Sequence, residues 1–257
     1  MSQPFPNDTA QQIWQKLVAA APIIHCLTSD EAKKLTADAL LAAGATPAMI
    51  EAEEECSTFT QAASGLLIHI GTLHHARLAS MRRAARTALR QNKAWVLDPT
   101  DVGDLLSYRN DFARELLAFH PAVIHGNAAE ILWLVGQSSK RRDNSLLPTE
   151  AETIAAAHEL ARKQQCVILL SGERDYISDG NTLYHNDGGD SRMTRVNDTG
   201  CALSALVAAC CAIAEPLLAA ATASRIMKNA GNYAASAGGM GSFAVRLLDG
   251  LTFPQPL

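Results

Sequence analysis

The residues best equipped for chemistry lie together in Val196-Asn197-Asp198-Thr199-Gly200-Cys201-Ala202-Leu203-Ser204, a polar, glycine-containing turn that opens a long apolar helical pattern. The first N–H groups of a helix lack partners within it, and small side chains let an anion approach them. The Thr199 to Cys201 backbone therefore suits a phosphoryl group, since a helix start supplies partial positive charge where negative charge develops during transfer. Cys201, in the first turn, is placed to polarise or deprotonate a hydroxyl nucleophile. A plainer role fits the same residues, with Cys201 an ordinary buried cysteine and Asp198 and Thr199 simple N-caps.

Two carboxylates form a second group. Asp98-Pro99 follows one apolar run, and Gly126-Asn127-Ala128-Ala129-Glu130 follows the next. Mg2+ is usually held by one or two carboxylates with water and substrate phosphates, so Asp98 and Glu130 are suited to steer the ion beside a nucleotide. Each also has a local use, Asp98 as a turn former and Glu130 as a first-turn acid that complements the helix dipole. His25, His69 and His125 lie in or beside apolar runs, where a hydrogen-bonded structural histidine is the common finding. No HxH or HExxH pairing occurs, which argues against a zinc site.

These groups need a scaffold that gathers them at one edge. Short apolar runs alternate with longer helical patterns, the signature of a parallel sheet covered by helices, and such sheets bind ligands at the carboxyl ends of their strands. The expected strands are Pro22 to Leu27, Thr46 to Ile50, Leu66 to Ile70, Trp95 to Leu97, Ala122 to Ile124 and Cys166 to Leu170. Asp8 to Ala20 and Asp30 to Ala43 read as helices started by an aspartate, with Gly44 ending the second. Met81 to Arg90, carrying Arg82, Arg83, Arg86 and Arg90, reads as a surface helix with a solvated basic face. Tyr176-Ile177-Ser178 and Thr182-Leu183-Tyr184 flank Asp179-Gly180-Asn181 and predict a hairpin that finishes the sheet. From Thr199 onward the pattern is helical, broken at Gly238-Gly239-Met240-Gly241 before Ser242 starts a final helix. Gln137 to Pro148 reads as a polar loop, and with no repeat or linker in sight residues 1–257 are expected to form one α/β domain.

Composition narrows the function. A chain of 257 residues, 48% of them hydrophobic, can bury a sizeable core. Its net charge of −4 argues against nucleic acid and for a small-molecule partner. Met1 to Thr9 lacks the order of a secretory signal, and Thr199 to Ala214 is shorter than the ~20 residues that span a bilayer, so a cytoplasmic location without a membrane partner is expected. The six cysteines show no CxxC spacing and are expected to be free thiols.

The motifs LLAAGATPAM (Leu40 to Met49), IGTL (Ile70 to Leu73), LDP (Leu97 to Pro99), GNAAE (Gly126 to Glu130), SGERDYISDG (Ser171 to Gly180) and TGCALSA (Thr199 to Ala205) occur in this order. With them the chain resembles the hydroxyethylthiazole kinase family over nearly its whole length. The resemblance implies a ribokinase-like three-layer α/β/α fold with a central, mainly parallel sheet. It implies ATP- and Mg2+-dependent phosphorylation of the primary hydroxyl of 4-methyl-5-(2-hydroxyethyl)thiazole in thiamine salvage, by a homotrimer whose substrate pocket lies between subunits. By the same likeness Met49, Gly71, Ser29 and Asp198 face the heterocycle, and His125, Asn127 and Ser171 face ATP. Asp98 and Glu130 match the magnesium-associated acids, and Cys201, with the Thr199 and Gly200 backbone, matches the catalytic position.

Three positions depart from the family pattern. Cys26-Leu27-Thr28-Ser29 stands for CxTN and exchanges an amide for a hydroxyl. Ile124-His125-Gly126-Asn127 stands for IRGN and exchanges a guanidinium for an imidazole, while Asp198-Thr199-Gly200-Cys201 stands for GTGC and sets a carboxylate beside the anion site. A like-charge contact at ~4 Å with an effective dielectric of about 20 costs on the order of 4 kcal/mol, about a thousandfold in rate when nothing compensates. Asp198 as a cap, as a base or ligand of a further Mg2+, or as the mark of a trimeric homologue that binds ligand with weakened turnover all stay open. So does a kinase for another small heterocyclic alcohol.

Overall fold

A computed structural model describes residues 2–137 and 148–252, so most of the polar Gln137 to Pro148 segment lies outside the described residues. The chain opens with β1 (Gln3–Pro4), α1 (Asn7–Ala20), β2 (Ile23–Leu27), α2 (Lys33–Ala42) and β3 (Thr46–Ala48). Then follow α3 (Glu53–Ala62), β4 (Gly65–His69), α4 (His75–Arg90), β5 (Trp95–Asp98), α5 (Ser107–Leu117), β6 (Val123–Gly126), α6 (Ala128–Leu134), α7 (Glu150–Gln164) and β7 (Val167–Leu170). The strands β8 (Asp175–Ser178) and β9 (Leu183–Asn186), a short 3-10 turn at Ser191–Arg195, and helices α8 (Thr199–Cys211), α9 (Pro216–Ala234) and α10 (Met240–Thr252) complete the order.

The strands join one sheet in the order β1-β9-β8-β7-β6-β5-β4-β2-β3. Pairing is parallel except where β8 meets β7 and β9, which is the expected hairpin finish. Alternation along each strand sorts the core into two layers. Leu67, Val96, Val123 and Leu169 join the apolar faces of α1, α2, α8, α9 and α10 on one side. Leu66, Ile68, Leu97, Ile124 and Ile168 join α3 to α7 on the other. The result is the expected three-layer α/β/α arrangement.

Helix α8 is apolar on nearly every side and is buried against the sheet, as an all-round hydrophobic helix must be. At Gly65 a Cβ atom would stand 2.7 Å from the Ala208 carbonyl oxygen, so the helix backbone rests directly on β4. This close approach fixes the height of α8 and delivers its first turn to the carboxyl edge of the sheet. There the connections that leave the paired strands β2 and β4 run to opposite sides, toward β3 outside β2 and toward β5 beyond β4, which opens the crevice where ligands bind in such sheets.

Local starts differ from the sequence reading in four places. Asp30 does not cap α2, which begins at Lys33 without a side-chain cap, because the carboxylate is held by Lys33 at 2.6 Å and Arg77 at 2.9 Å. Asp8 sits inside the first turn of α1, and Pro6 takes the cap position. Helix α10 begins at Met240 rather than Ser242, whose hydroxyl oxygen accepts from the Gly239 N–H. Strand β1 escapes prediction: it has two residues, one a proline, and survives as an edge strand on β9. Gly44, at φ +84, ends α2 as expected, and the six cysteines are free thiols.

Candidate active site

The crevice is built first from two strand ends. β2 runs into Thr28 and Ser29, and β4 ends at His69 before the Ile70-Gly71-Thr72 turn. At Gly71 a Cβ would lie 2.6 Å from Ser29 Cβ and 2.8 Å from His69 Cε1, so only glycine lets this turn close over the imidazole. Beneath it Thr28 Oγ1 lies 3.0 Å from His69 Nδ1 and 3.1 Å from Cys201 Sγ. The buried Thr36 hydroxyl of α2 donates to the same sulfur at 3.2 Å. Ser29 Oγ accepts from the Ala32 N–H at 3.3 Å, a local turn contact, and the half-buried Met49 follows β3 at the same edge and packs on the core.

The start of α8 faces this group. Asp198 occupies the cap position in the left-handed conformation, φ 63 and ψ 19, and its side chain makes no capping hydrogen bond, contrary to the simple N-cap reading. Thr199 is no cap either, because its hydroxyl donates backward to the Val196 and Met193 carbonyls at 2.8 and 3.2 Å. The first helical bond joins Ala202 N–H to the Asp198 carbonyl, which leaves the Thr199, Gly200 and Cys201 amides ahead of it. Gly200 is exposed, and a Cβ there would meet only His125 Cε1 at 3.9 Å.

His125 lies under that glycine. Its Nδ1 is 2.6 Å from Ser204 Oγ, and Ser204 donates to Asp98 Oδ2 at 2.7 Å. Its Nε2 is buried and has no hydrogen-bond partner among the described residues. Asp98 also accepts from Thr100 Oγ1 at 2.6 Å. Glu130 accepts from the Asn127 N–H at 2.8 Å and the Asp101 N–H at 2.9 Å, while Asn127 Oδ1 accepts from the Ala129 and Glu130 amides, a complete capping box. Ser171, at the end of β7, donates its N–H to the Gly126 carbonyl and so joins the same edge.

Charge is concentrated here. Burial raises the Glu130 carboxyl to about 7, with the Asp98 charge adding to the effect. Burial pushes Asp98 up as well, but His69, His125 and the Thr100 and Ser204 hydroxyls outweigh it and hold the group low. Burial keeps His125 below its ordinary value. For His69 burial acts downward too, yet Cys201, Asp98 and Asp198 lift the imidazole well above its usual range. Burial raises the Asp198 carboxyl, which His69 opposes and Glu31 and Asp98 reinforce. A buried carboxyl raised by burial and by a neighbouring carboxylate is relieved by a divalent cation, so Asp98 and Glu130 fit Mg2+. No three His, Cys, Asp or Glu side chains among the described residues gather into a metal cage, so such an ion would share its shell with phosphates and water.

The structure thus collects Ser29, Gly71, Asp98, Glu130, His125, Ser171 and Asp198 to Cys201 along one edge, with Met49 at its β3 end. Asn127 is exposed and its Oδ1 is engaged as a cap. Four further residues, Thr28, Thr36, His69 and Ser204, escape the sequence reading as site members. Ser204 carries a signal, since it follows Cys201 by three residues and shares its helix face. His69 stands at a strand end in register with Asp98, a pairing that only the fold brings about. Thr36 carries none. His25 bears out the structural reading, with Nδ1 on Thr60 at 2.9 Å and Nε2 on the Ile50 carbonyl at 2.8 Å.

Comparison with known proteins extends this geometry. A family model described as the hydroxyethylthiazole kinase family matches residues 14–254. The chain is 45% identical over 249 residues to hydroxyethylthiazole kinase of Yersinia enterocolitica, spanning 96% of this chain and 95% of that one. A solved structure of hydroxyethylthiazole kinase protein from Pyrococcus horikoshii matches with a TM-score of 0.88 at 31% identity, covering 95% and 93% of the two chains. A ribokinase-like superfamily protein from Enterococcus faecalis, 14% identical with a TM-score of 0.67 over 97% and 95% of the chains, shares the fold. The sheet and its helices are therefore ribokinase-like, and the chain belongs to the hydroxyethylthiazole kinase family.

Proposed function

We propose that this chain transfers the γ-phosphoryl group of ATP to the primary hydroxyl of 4-methyl-5-(2-hydroxyethyl)thiazole, a step of thiamine salvage. The observation that carries this reading is the open start of α8, where Asp198 makes no side-chain cap, Gly200 is exposed and the first amides stand beside Cys201 and over the buried His125 ring. A helix start whose first amides are free of partners within the helix is suited to an anion. The Thr199, Gly200 and Cys201 amides receive the charge of the transferring group. Cys201 Sγ faces the acceptor hydroxyl and draws on its proton, and Thr36 and Thr28 hold the sulfur.

Met49, Gly71, Ser29 and Asp198 line the heterocycle side, and His125, Asn127 and Ser171 flank the nucleotide. Mg2+ brought with ATP would be held by Asp98 and Glu130, where it would offset phosphate charge. The working form on this reading is a homotrimer of one-domain subunits, residues 1–257, with the acceptor pocket between subunits, acting in the cytoplasm where ATP is available. No helix among the described residues is long and apolar enough to cross a membrane.

The test is ADP release at saturating ATP and Mg2+, with and without the thiazole alcohol. Thiazole-dependent turnover is expected. Thermal stabilisation by the alcohol without turnover would instead identify a ligand-binding homologue, and sedimentation of a monomer under assay conditions would contradict the shared pocket.

A further inference from the structure

We propose that His69 is a positioning residue for this reaction, one that acts through Thr28 to orient the hydroxyl facing the Cys201 sulfur. Thr28 Oγ1 carries one proton and has two partners in reach, His69 Nδ1 at 3.0 Å and Cys201 Sγ at 3.1 Å. If the ring presents N–H, Thr28 accepts from it and must turn its own proton to the sulfur. With Thr36 already donating at 3.2 Å, Sγ then receives two O–H donors. A sulfur held by two O–H donors is fixed in position for the acceptor hydroxyl. If the ring presents a bare nitrogen, Thr28 donates to the ring and the sulfur loses that donor.

We take the first arrangement, in which His69 Nδ1 donates to Thr28 and Thr28 donates to the sulfur. The ring is held against rotation, because the Gly71 turn lies so close over it that even a methyl group would collide with Cε1. His69 is buried, and its orientation is fixed by β4 on one side and by this turn on the other. A donor locked in place before substrate arrives is what a positioned thiol needs.

The proposal rests on the kinase reading for its kinetic consequences, so the test has an arm that needs no turnover. The rate at which iodoacetamide alkylates Cys201 in the folded protein is followed by peptide mass spectrometry, with the other five cysteines as internal controls. Kinetic constants are measured alongside. His69→Leu removes the donor and keeps bulk, Thr28→Val removes the hydroxyl and keeps shape, and His69→Asn keeps a side-chain N–H donor. The expected result for the first two is a Cys201 alkylation rate lower by about fivefold and kcat lower by about tenfold, with KM for ATP within about twofold. His69→Asn recovers most of both losses, and the double variant His69→Leu with Thr28→Val is no worse than Thr28→Val alone.

Alkylation at the wild-type rate in Thr28→Val, additive losses in the double variant, or a His69→Asn protein no better than His69→Leu would each overturn the proposal. Should His69→Leu fail to fold, the comparison of wild type, Thr28→Val and His69→Asn decides by itself. Absence of thiazole-dependent turnover in the wild-type protein would remove the kinase reading, and the alkylation arm would still decide the role of His69.

Discussion

Helices α6 and α8 both begin at the carboxyl edge of the sheet with an acidic residue close by, yet one start is closed and the other open. At α6, Asn127 and Glu130 satisfy each other's backbone groups in a reciprocal capping box. At α8, Asp198 makes no side-chain cap, Thr199 bonds backward, and Gly200 is exposed. A closed start spends its helix amides on stability, at about 1 kcal/mol for a good cap, while an open start keeps them for an anion. The residue types alone would have ranked the two alike. What separates them is where the side chains point.

Asp98 lies between the two starts, accepting from Ser204 of α8 and raising the carboxyl of Glu130 in α6. Asp98→Asn should therefore have the largest effect, a fall in kcat of about a hundredfold or more, with the fold retained by circular dichroism. A change of less than about threefold would mean that the charge of Asp98 serves only the architecture.

Asp198→Gly addresses the open start directly. An uncompensated carboxylate facing the phosphate would slow transfer about a thousandfold, so its removal would raise kcat by a comparable factor. Because His69 opposes the charge of Asp198, the expected gain is below about tenfold. The same substitution relieves a left-handed residue, and urea unfolding should show a gain of about 1 kcal/mol.

The closed start is expected to respond in stability. Asn127→Ala should lower unfolding free energy by about 1 kcal/mol and leave KM for ATP within about threefold. A tenfold or greater rise in KM with unchanged stability would move α6 from the closed class to the open one.

The pH dependence of the unliganded protein sharpens the same contrast. Glu130 has its carboxyl raised in the folded state from 4.5 to about 7, so the folded protein holds this proton more tightly than the unfolded chain does. The contribution is fully present below about pH 4.5 and is lost as pH rises through about 7. Glu130→Gln should flatten that part of the stability profile measured by thermal unfolding, and an unchanged profile would show that Glu130 does not titrate there.

Much of this was readable in the residues, and the reason differs from part to part. Five of the six expected strands, β2, β4, β5, β6 and β7, stand out because burial makes each an apolar run, as in Leu66 to Ile70, whereas the edge strand β3 is exposed or half-buried and shows only three residues of extended pattern. β1 does not, since Gln3 and Pro4 have no apolar pattern and pair only because β9 leaves an edge. Asp30 looks like a helix cap until Arg77, 47 residues away, takes its carboxylate. The acids and the α8 turn were legible as candidates because strand ends and helix starts are where ligand chemistry collects. His69 was not, because its importance lies in a Thr28 that is 41 residues away and a Cys201 that Thr28 meets across 173 residues. The departures Ser29, His125 and Asp198 were visible as changes of type, but the left-handed backbone at Asp198 and the inward turn of His125 toward Ser204 are properties of packing.

The central claim is that the open start of α8 is where the phosphoryl group is transferred. A crystal structure with ADP, Mg2+, aluminium fluoride as the phosphoryl mimic and the thiazole alcohol tests it most directly. Fluoride is expected within hydrogen-bonding distance of the Thr199 to Cys201 amides, with the alcohol oxygen beside Cys201 Sγ and no ligand at the amides of α6. A phosphoryl mimic bound away from the α8 amides, with the alcohol remote from Cys201, would contradict it.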